Sequence, residues 1–297
     1  MIDTRLKVFR SVATHLSFTK AANELFISQP AISKHIQELE KEYGVRLFDR
    51  IGNRIQLTRA GQLLLDHACK INDAYQNLDF DMKKLTAKSG GELRIGASTT
   101  ISQYVLPELI AEFRKQYPDI RLTLLSGNSH EIEDALATGR IDLGMVEGIK
   151  RQPTFKYTPF MKDELVAFVH CSNPLAQQEE ISLDLLKQTP IVMRELGSGT
   201  LDVIQKALQE NGIALSDLNI EMNLGTTEGI KHFVEHSQCM GIISVRAIYK
   251  SIYEQVFKVL EVENLKMERE FLFVEKRGET AKLQQTFKRF ITQGYNA

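Results

Sequence analysis

Cysteine is scarce: the 297-residue chain has three, Cys69, Cys171 and Cys239, far apart and in no CxxC. A disulfide framework and a zinc knuckle are thereby excluded. Long apolar runs are missing as well, and none approaches the ~18 residues of a membrane span. The opening segment MIDTRLKVFRSVATHLSF scatters Arg5, Lys7 and Arg10 among its apolar positions, so it lacks the uninterrupted core of ~7–15 residues that a secretory signal needs. A cytoplasmic protein is expected. Net charge is nearly absent, at −1, but it is unevenly spread. Residues 1–60 carry ten Lys/Arg against six Asp/Glu, and the remainder carries 27 against 32. A basic head on an acidic body suits nucleic-acid binding. Hydrophobic content of 43% and charged content of 25% are those of a globular chain, and the length corresponds to about two domains.

Residues 4–40 read as three short helices. Leu6, Phe9, Val12 and Ala13 mark the buried face of the first, and Thr19 is expected to cap the second, which carries Ala21, Ala22 and Leu25. Ser28 caps the third, with Pro30 in its first turn and Ile32, Ile36 and Leu39 at i, i+4, i+7. Two short helices across a tight turn form a helix-turn-helix. The run LFDRIGNRIQLT around Gly52-Asn53 then reads as a hairpin, a wing bearing Arg50 and Arg54. Thr58 caps a long helix in which Leu64, Ala68, Ile71, Tyr75, Leu78, Met82 and Leu85 recur with spacings of four and three, a coiled-coil seam. At ~1.5 Å per residue this helix spans roughly 40 Å. A flexible linker, Lys88-Ser89-Gly90-Gly91, is expected to end it.

From Glu92 the pattern alternates strand and helix. LRIGA, a helix from Ser98-Thr99-Thr100 through about Gln116, IRLTLLSG, HEIEDALATG and IDLGMVEG form one β-α-β-α-β unit. PIVMRE, a helix from Gly197-Ser198-Gly199-Thr200 to Asn211, LNIEMNL, a helix after Thr226-Thr227, and MGIISV echo it. Two α/β lobes with mostly parallel sheets follow. KYTPFMKDELVAFVH is the expected crossing into the second lobe, and KMEREFLFVEKR the return.

The run SFTKAANELFISQPAISKHIQELEKEYGVRLFDRIGNRIQLTRAG resembles the N-terminal signature of the LysR-type transcriptional regulators, and ATGRIDLGMVEG and RELGSGT resemble segments of that family's effector domain. The resemblance implies an α/β protein with an N-terminal winged helix-turn-helix (1–58), a dimerising linker helix (59–90) and a two-lobed, periplasmic-binding-protein-like effector domain (91–297). Its lobe 1 would take about 91–161 and 267–297, and lobe 2 about 162–266.

On the third helix the inward Ile32, Ile36 and Leu39 leave Gln29, Ser33, Lys34 and Gln37 outside. Amides and hydroxyls suit base edges, and an ammonium suits phosphate. The resemblance puts Gln29, Pro30 and Ser33 at the DNA surface, Lys34 on phosphate, and Arg50 and Arg54 on the backbone or minor groove. Ser98, Thr99 and Thr100 stand between a strand and a helix, followed by Ser102 and Gln103, which is more donors than one cap requires. Ser198, Gly199 and Thr200 stand at the matching place in the second unit, and Thr226 and Thr227 open another helix near the same end. These residues are the expected effector site, with a small oxyanion or carboxylate as ligand. Arg194 could supply charge there, or could serve only as an ion pair with Glu195.

The expected partners are a double-stranded DNA operator, the effector, RNA polymerase, and further copies of the chain as a dimer or dimer of dimers. No catalytic residues, cofactor, metal or membrane partner are expected. His232, Glu235 and His236 match H-x-x-E-H, but no third ligand declares itself, and a solvated pair is the plainer reading. Cys171 and Cys239 are too far apart in sequence for a local thiol switch. A solute-binding receptor of a transport system is the competing class, and a metallohydrolase centred on His232 is a second.

Overall fold

Caps and apolar spacing lay out the head. In the computed structural model, which describes residues 3–51, 54–85, 91–278 and 280–295, α1 (Thr4–His15) is capped by Asp3, whose carboxylate accepts from Arg5 N at 2.8 Å. Ser17, not Thr19, caps α2 (Phe18–Leu25): its Oγ accepts from Lys20 N at 3.3 Å, and Thr19 lies exposed in the first turn. Either hydroxyl residue could serve; the chain enters the helix two residues earlier than expected, and Phe18 in the first turn packs its ring edge-on to Phe48. Ser28 caps α3 (Gln29–Tyr43), with Pro30 in the first turn. Phe9, Val12, Ala21, Ala22, Ile32 and Leu39 form the buried centre of the three helices. The two alanines let α2 approach its neighbours closely.

Strands β1 (Phe48–Ile51) and β2 (Arg54–Leu57) pair antiparallel as the wing. The turn residues Gly52 and Asn53 lie outside the described residues. Thr58 opens α4 (Arg59–Leu85) as expected, accepting from Gly61 N at 2.9 Å and donating to the Arg46 carbonyl at 2.7 Å. Leu65 and Cys69 pack α4 onto the head, while Ile71, Tyr75, Leu78 and Met82 further along are exposed. The side chain of Leu85, and Lys88, Ser89 and Gly90, lie outside the described residues. Gly91 is not linker, because it opens β3 and pairs with Ile120.

The body begins with β3 (Gly91–Ser98), α5 (Thr99–Tyr104), α6 (Leu106–Gln116), β4 (Ile120–Gly127), α7 (Ser129–Ala137) and β5 (Leu143–Glu147). The single helix expected from Ser98 to Gln116 is broken at Val105. Pro107 has no N–H to continue α5 but fits the first turn of α6. Next come β6 (Phe155–His170), β7 (Glu180–Ile181), α8 (Leu183–Gln188), β8 (Ile191–Arg194), α9 (Gly199–Glu210), β9 (Ile220–Leu224), α10 (Thr227–Glu235), β10 (Met240–Ser244), α11 (Val245–Tyr253), β11 (Phe257–Val262), β12 (Glu268–Lys276) and α12 (Lys282–Tyr295).

The sheet order is β4-β3-β5-β12-β6-β10-β8-β9. Its two ends are the echoed units: β4-β3-β5 and β9-β8-β10 are both parallel trios with the first strand of the unit in the middle. Each has its own core, one around Leu93, Ile95, Phe113 and Phe287, the other around Ile191, Met193, Ile204 and Met240. Two α/β lobes result. The 16-residue β6 joins them, pairing with β12 along its first part and with β10 and β11 along its last.

Candidate functional site: the exposed face of α3 and an inter-lobe junction

On α3 the 3.6-residue period sorts the side chains as the sequence predicts. Ile32, Ile36 and Leu39 are buried; Gln29, Pro30, Lys34 and Gln37 are exposed and Ser33 is half-buried. Lys34 Nζ is 4.0 Å from Glu38 Oε1, an exposed pair that leaves the ammonium free to exchange partners. In the wing, Arg50 pairs in register with Ile55, and Arg54 with Ile51; both arginine side chains lie outside the described residues.

The hydroxyl run after β3 is buried and internally engaged. Ser98 caps α5 through Ile101 N, Thr100 donates to Glu147 Oε1 at 3.2 Å, and Ser102 lies 2.7 Å from Ser126 Oγ. Thr99 Oγ1 accepts from Arg194 Nη1 at 2.8 Å, across the lobe boundary. Gln103 is exposed and joins none of these contacts. From the second unit, Ser198 caps α9, accepting from Thr200 N at 3.3 Å, and Thr200 Oγ1 accepts from Arg269 Nη1 at 2.9 Å. Gly199 lies so close to β5 that an added Cβ would fall 1.9 Å from the Glu147 carbonyl oxygen. Thr226 is exposed, spent on capping α10 through Gly229 N. Its neighbour Thr227 turns inward instead and meets Arg194 Nη1 at 3.3 Å.

Arg194 is therefore the hub. At the end of β8 it is 1% exposed, and it bonds Thr99 of lobe 1 and Thr227 of lobe 2. A second buried centre lies where the crossing strands meet. Arg269 on β12 and Asp163 on β6 are register partners bonded at 2.7 Å, Ser244 donates to the same carboxylate at 2.7 Å, and Glu147 Oε1 is 3.6 Å from Arg269 Nη1. Sequence reasoning missed Glu147, Asp163 and Arg269. A signal existed for Arg269: it falls in phase with Phe271 and Phe273, the inward face of β12.

Three more contacts hold the lobes together. Tyr104 donates to Glu228, Lys150 Nζ lies 2.6 Å from Asp202 Oδ1, and His130 N donates to the Gly197 carbonyl at 3.3 Å. Burial, with the Glu228 hydrogen bond, raises the Tyr104 phenol well above its ordinary range. Burial also acts upward on Glu228, but hydrogen bonds from Lys231 and Tyr104 outweigh it and hold that carboxyl below its ordinary value.

Helix α7 connects this junction to the head. At its N-terminal end Ser129 Oγ donates to the Glu147 carbonyl at 2.8 Å, beside the His130–Gly197 bond. At its other end the Thr138 carbonyl accepts from Thr14 Oγ1 of α1 at 3.0 Å. Lys276 Nζ bridges the Ala137 carbonyl, at 2.9 Å, and Cys69 Sγ of α4, at 3.4 Å.

His232 and His236 are exposed on the end of α10, His232 facing Glu235 at 3.5 Å, and no group of three potential metal ligands gathers among the described residues. Cys171 is exposed, Cys69 and Cys239 are buried, and all three are free thiols.

Residues 4–62 match the family described as bacterial regulatory helix-turn-helix protein, lysR family, and residues 86–296 match the LysR substrate binding domain. The HTH-type transcriptional activator CmpR of Synechocystis sp. is 32% identical over 288 residues, 97% of this chain and 93% of the relative. The HTH-type transcriptional regulator CysL of Bacillus subtilis is 30% identical over 269 residues, 91% and 89% of the two chains. Among solved structures, a full-length OxyR variant from Pseudomonas aeruginosa superposes with a TM-score of 0.73 at 20% identity, covering 98% of this chain and 94% of that one. The regulatory domain of Synechocystis CcmR in complex with 2-PG gives 0.63 at 24% identity, covering 69% and 97%.

Proposed function

The chain belongs to the LysR family of bacterial helix-turn-helix proteins, a DNA-binding transcription regulator that responds to a small molecule, and we propose that this molecule is a compact oxyanion or carboxylate bound between the lobes at Arg194. The observation that carries the reading is a fully buried guanidinium shared by hydroxyls of both lobes. A charge in that position needs a negative partner; the adjacent, partly exposed Glu195 supplies one within the chain, and an anionic ligand joining Arg194 would contact both lobes at once. Thr99, Thr100, Thr200 and Thr227 would line the site, with Ser98 and Ser198 holding the helix starts that carry them and Ser102 behind. Gln103 and Thr226 lie at its margin. The CcmR domain was solved with 2-PG, which accords with an anionic effector.

In this reading α3 enters the major groove, Gln29 and Ser33 meeting base edges with Pro30 alongside, Gln37 at the margin and Lys34 on phosphate, while Arg50 and Arg54 of the wing meet the backbone or minor groove. The exposed apolar stripe of α4 joins two chains, so that paired heads match paired half-sites; a dimer of dimers would repeat the arrangement. RNA polymerase is the expected downstream partner and the cytoplasm the expected compartment. No helix among the described residues is long and apolar enough to cross a membrane. The matched relatives are transcription regulators, and catalysis forms no part of the reading.

Effector binding acts on DNA only if it favours one arrangement of the lobes over another. Helix α7 is the proposed route, since it touches lobe 2 at one end and, at the other, meets α1 directly and α4 through Lys276. The test is a thermal-shift screen of small oxyanions and carboxylates, with neutral and apolar small molecules beside them, on the full chain, followed by operator affinity with each hit. Hits that change operator affinity in the wild type but not in Arg194→Gln support the reading. Hits restricted to neutral or apolar molecules refute it.

A further inference from the structure

The guanidinium of Arg194 already holds an anion, and the chain supplies it. Glu195 lies on its outer edge as a two-pronged pair, with Oε2 2.8 Å from Nε and Oε1 3.0 Å from Nη2. Thr99 and Thr227 are bonded through Nη1, so the Nε–Nη2 edge belongs to Glu195 and, more distantly, to the Gly225 carbonyl at 3.4 Å from Nη2. The two partners differ in access. The Arg194 side chain is 1% exposed and that of Glu195 is 26% exposed.

Glu195 follows the last residue of β8 and begins a turn. Leu196 is 87% exposed and Gly197 has φ +89°, a left-handed conformation suited to glycine. Backbone contacts hold this turn lightly: Ser198 N donates to the Glu195 carbonyl at 3.2 Å, and the Gly197 carbonyl accepts from His130 N at 3.3 Å. Nothing in the described contacts of the Glu195 carboxylate ties it to any residue other than Arg194. It can turn into solvent without disturbing β8 or α9. The edge it covers is the one a carboxylate, sulfate or phosphate engages with two parallel N–H···O bonds.

Resting on the reading of the junction as an oxyanion site, we propose that Glu195 is a built-in competitor of the effector: its carboxylate occupies the Nε–Nη2 edge of Arg194, and an oxyanion binds by displacing it into solvent. Two properties follow. Affinity is reduced by the fraction of time the edge is free, so a weak or neutral ligand does not bind, and only a molecule presenting two negatively charged oxygens replaces what Glu195 provides. Displacement also frees the 195–197 turn, whose Gly197 backbone contacts the start of α7. Exchange of one anion for another at Arg194 is thereby felt at the helix that reaches the head.

The test uses the full-length chain and two probes, sodium sulfate and sodium phosphate, each titrated against sodium chloride at matched ionic strength and read by thermal unfolding. Glu195→Gln keeps the shape of the side chain and removes its charge; Glu221→Gln, on the exposed face of β9, controls for net charge. The expected result is oxyanion binding at least about tenfold tighter in Glu195→Gln than in the wild type or Glu221→Gln, because the competitor is gone. Equal or weaker binding by Glu195→Gln, or no oxyanion-specific stabilisation of it at all, overturns the proposal. Arg194→Gln separates this from the underlying reading, with Thr99→Val as a milder alternative should Arg194→Gln fail to fold. If either abolishes or weakens oxyanion binding while Glu195→Gln leaves it unchanged, the junction is an oxyanion site without a competitor. If neither affects binding, the site lies elsewhere and both ideas fall.

Discussion

Arg194 and Thr99 stand 95 residues apart in sequence and on different lobes, yet Nη1 of one donates to Oγ1 of the other at 2.8 Å, out of reach of solvent. Thr200 and Arg269 repeat the arrangement at 2.9 Å. Valine in place of either threonine keeps the shape and leaves a buried N–H short of an acceptor, at a cost of about 1–3 kcal/mol. Thr99→Val and Thr200→Val are each expected to lose stability by that amount in chemical denaturation and to bind effector about tenfold more weakly in calorimetry. Wild-type stability in both variants would show that these bonds do not hold the lobes.

On the head, Gln29→Ala is expected to cost about 1–3 kcal/mol on the specific operator and little on random duplex. Lys34→Ala should instead weaken both alike and reduce the dependence of log K on log salt by about one contact's worth. Fluorescence anisotropy at several salt concentrations distinguishes the two; equal losses on both duplexes for Gln29→Ala would remove it from base reading.

The seam on α4 leads to a prediction about assembly. Ile71 is 46% exposed and Leu78 56% exposed in the single chain, which is uneconomical for apolar residues unless another chain covers them. Ile71→Glu combined with Leu78→Glu should sediment as a monomer and lose tight binding to a two-half-site operator. An intact dimer would move the main interface off this helix.

The Tyr104–Glu228 contact has a defined pH window. Glu228 is held below its ordinary 4.5, so its contribution to stability is complete above that value and is lost as pH falls through the folded one. Tyr104 is raised above its ordinary 10.0, so its contribution is complete below that value and is lost as pH climbs beyond it. The effect is modest, because the Glu228 side chain is 41% exposed. Tyr104→Phe should destabilise by a constant amount near neutrality and by less in acid or strong alkali, as thermal unfolding across pH will reveal. A stability difference that stays the same at acid pH would contradict the link.

Local physics was legible in the sequence. The outward stripe of α3, the Thr58 cap and the strand–helix echo all follow from spacing of a few residues, and each is found where spacing put it. Misplacements were local as well: Ser17 and Thr19 are both capable caps two residues apart, and the folded chain uses Ser17. Thr226 and Thr227 are equally capable neighbours, and the helix start spends the first hydroxyl on its own backbone while turning the second toward Arg194. The buried charge centres were hardest to see, because Glu147, Asp163 and Arg269 come from three strands and meet only where β6 and β12 cross. The hydroxyl run after β3 drew notice as a surplus over capping needs. Its partners in the folded chain are Arg194, Glu147 and Ser126, which sequence could not pair with it.

The account depends most on what Arg194 holds when an oxyanion is present, and a crystal structure of the full-length chain grown in sulfate reads that directly. The account predicts sulfate on the Nε–Nη2 edge of Arg194, with Glu195 turned into solvent and Thr99 and Thr227 still on Nη1. An intact Arg194–Glu195 pair with sulfate bound only elsewhere would contradict it.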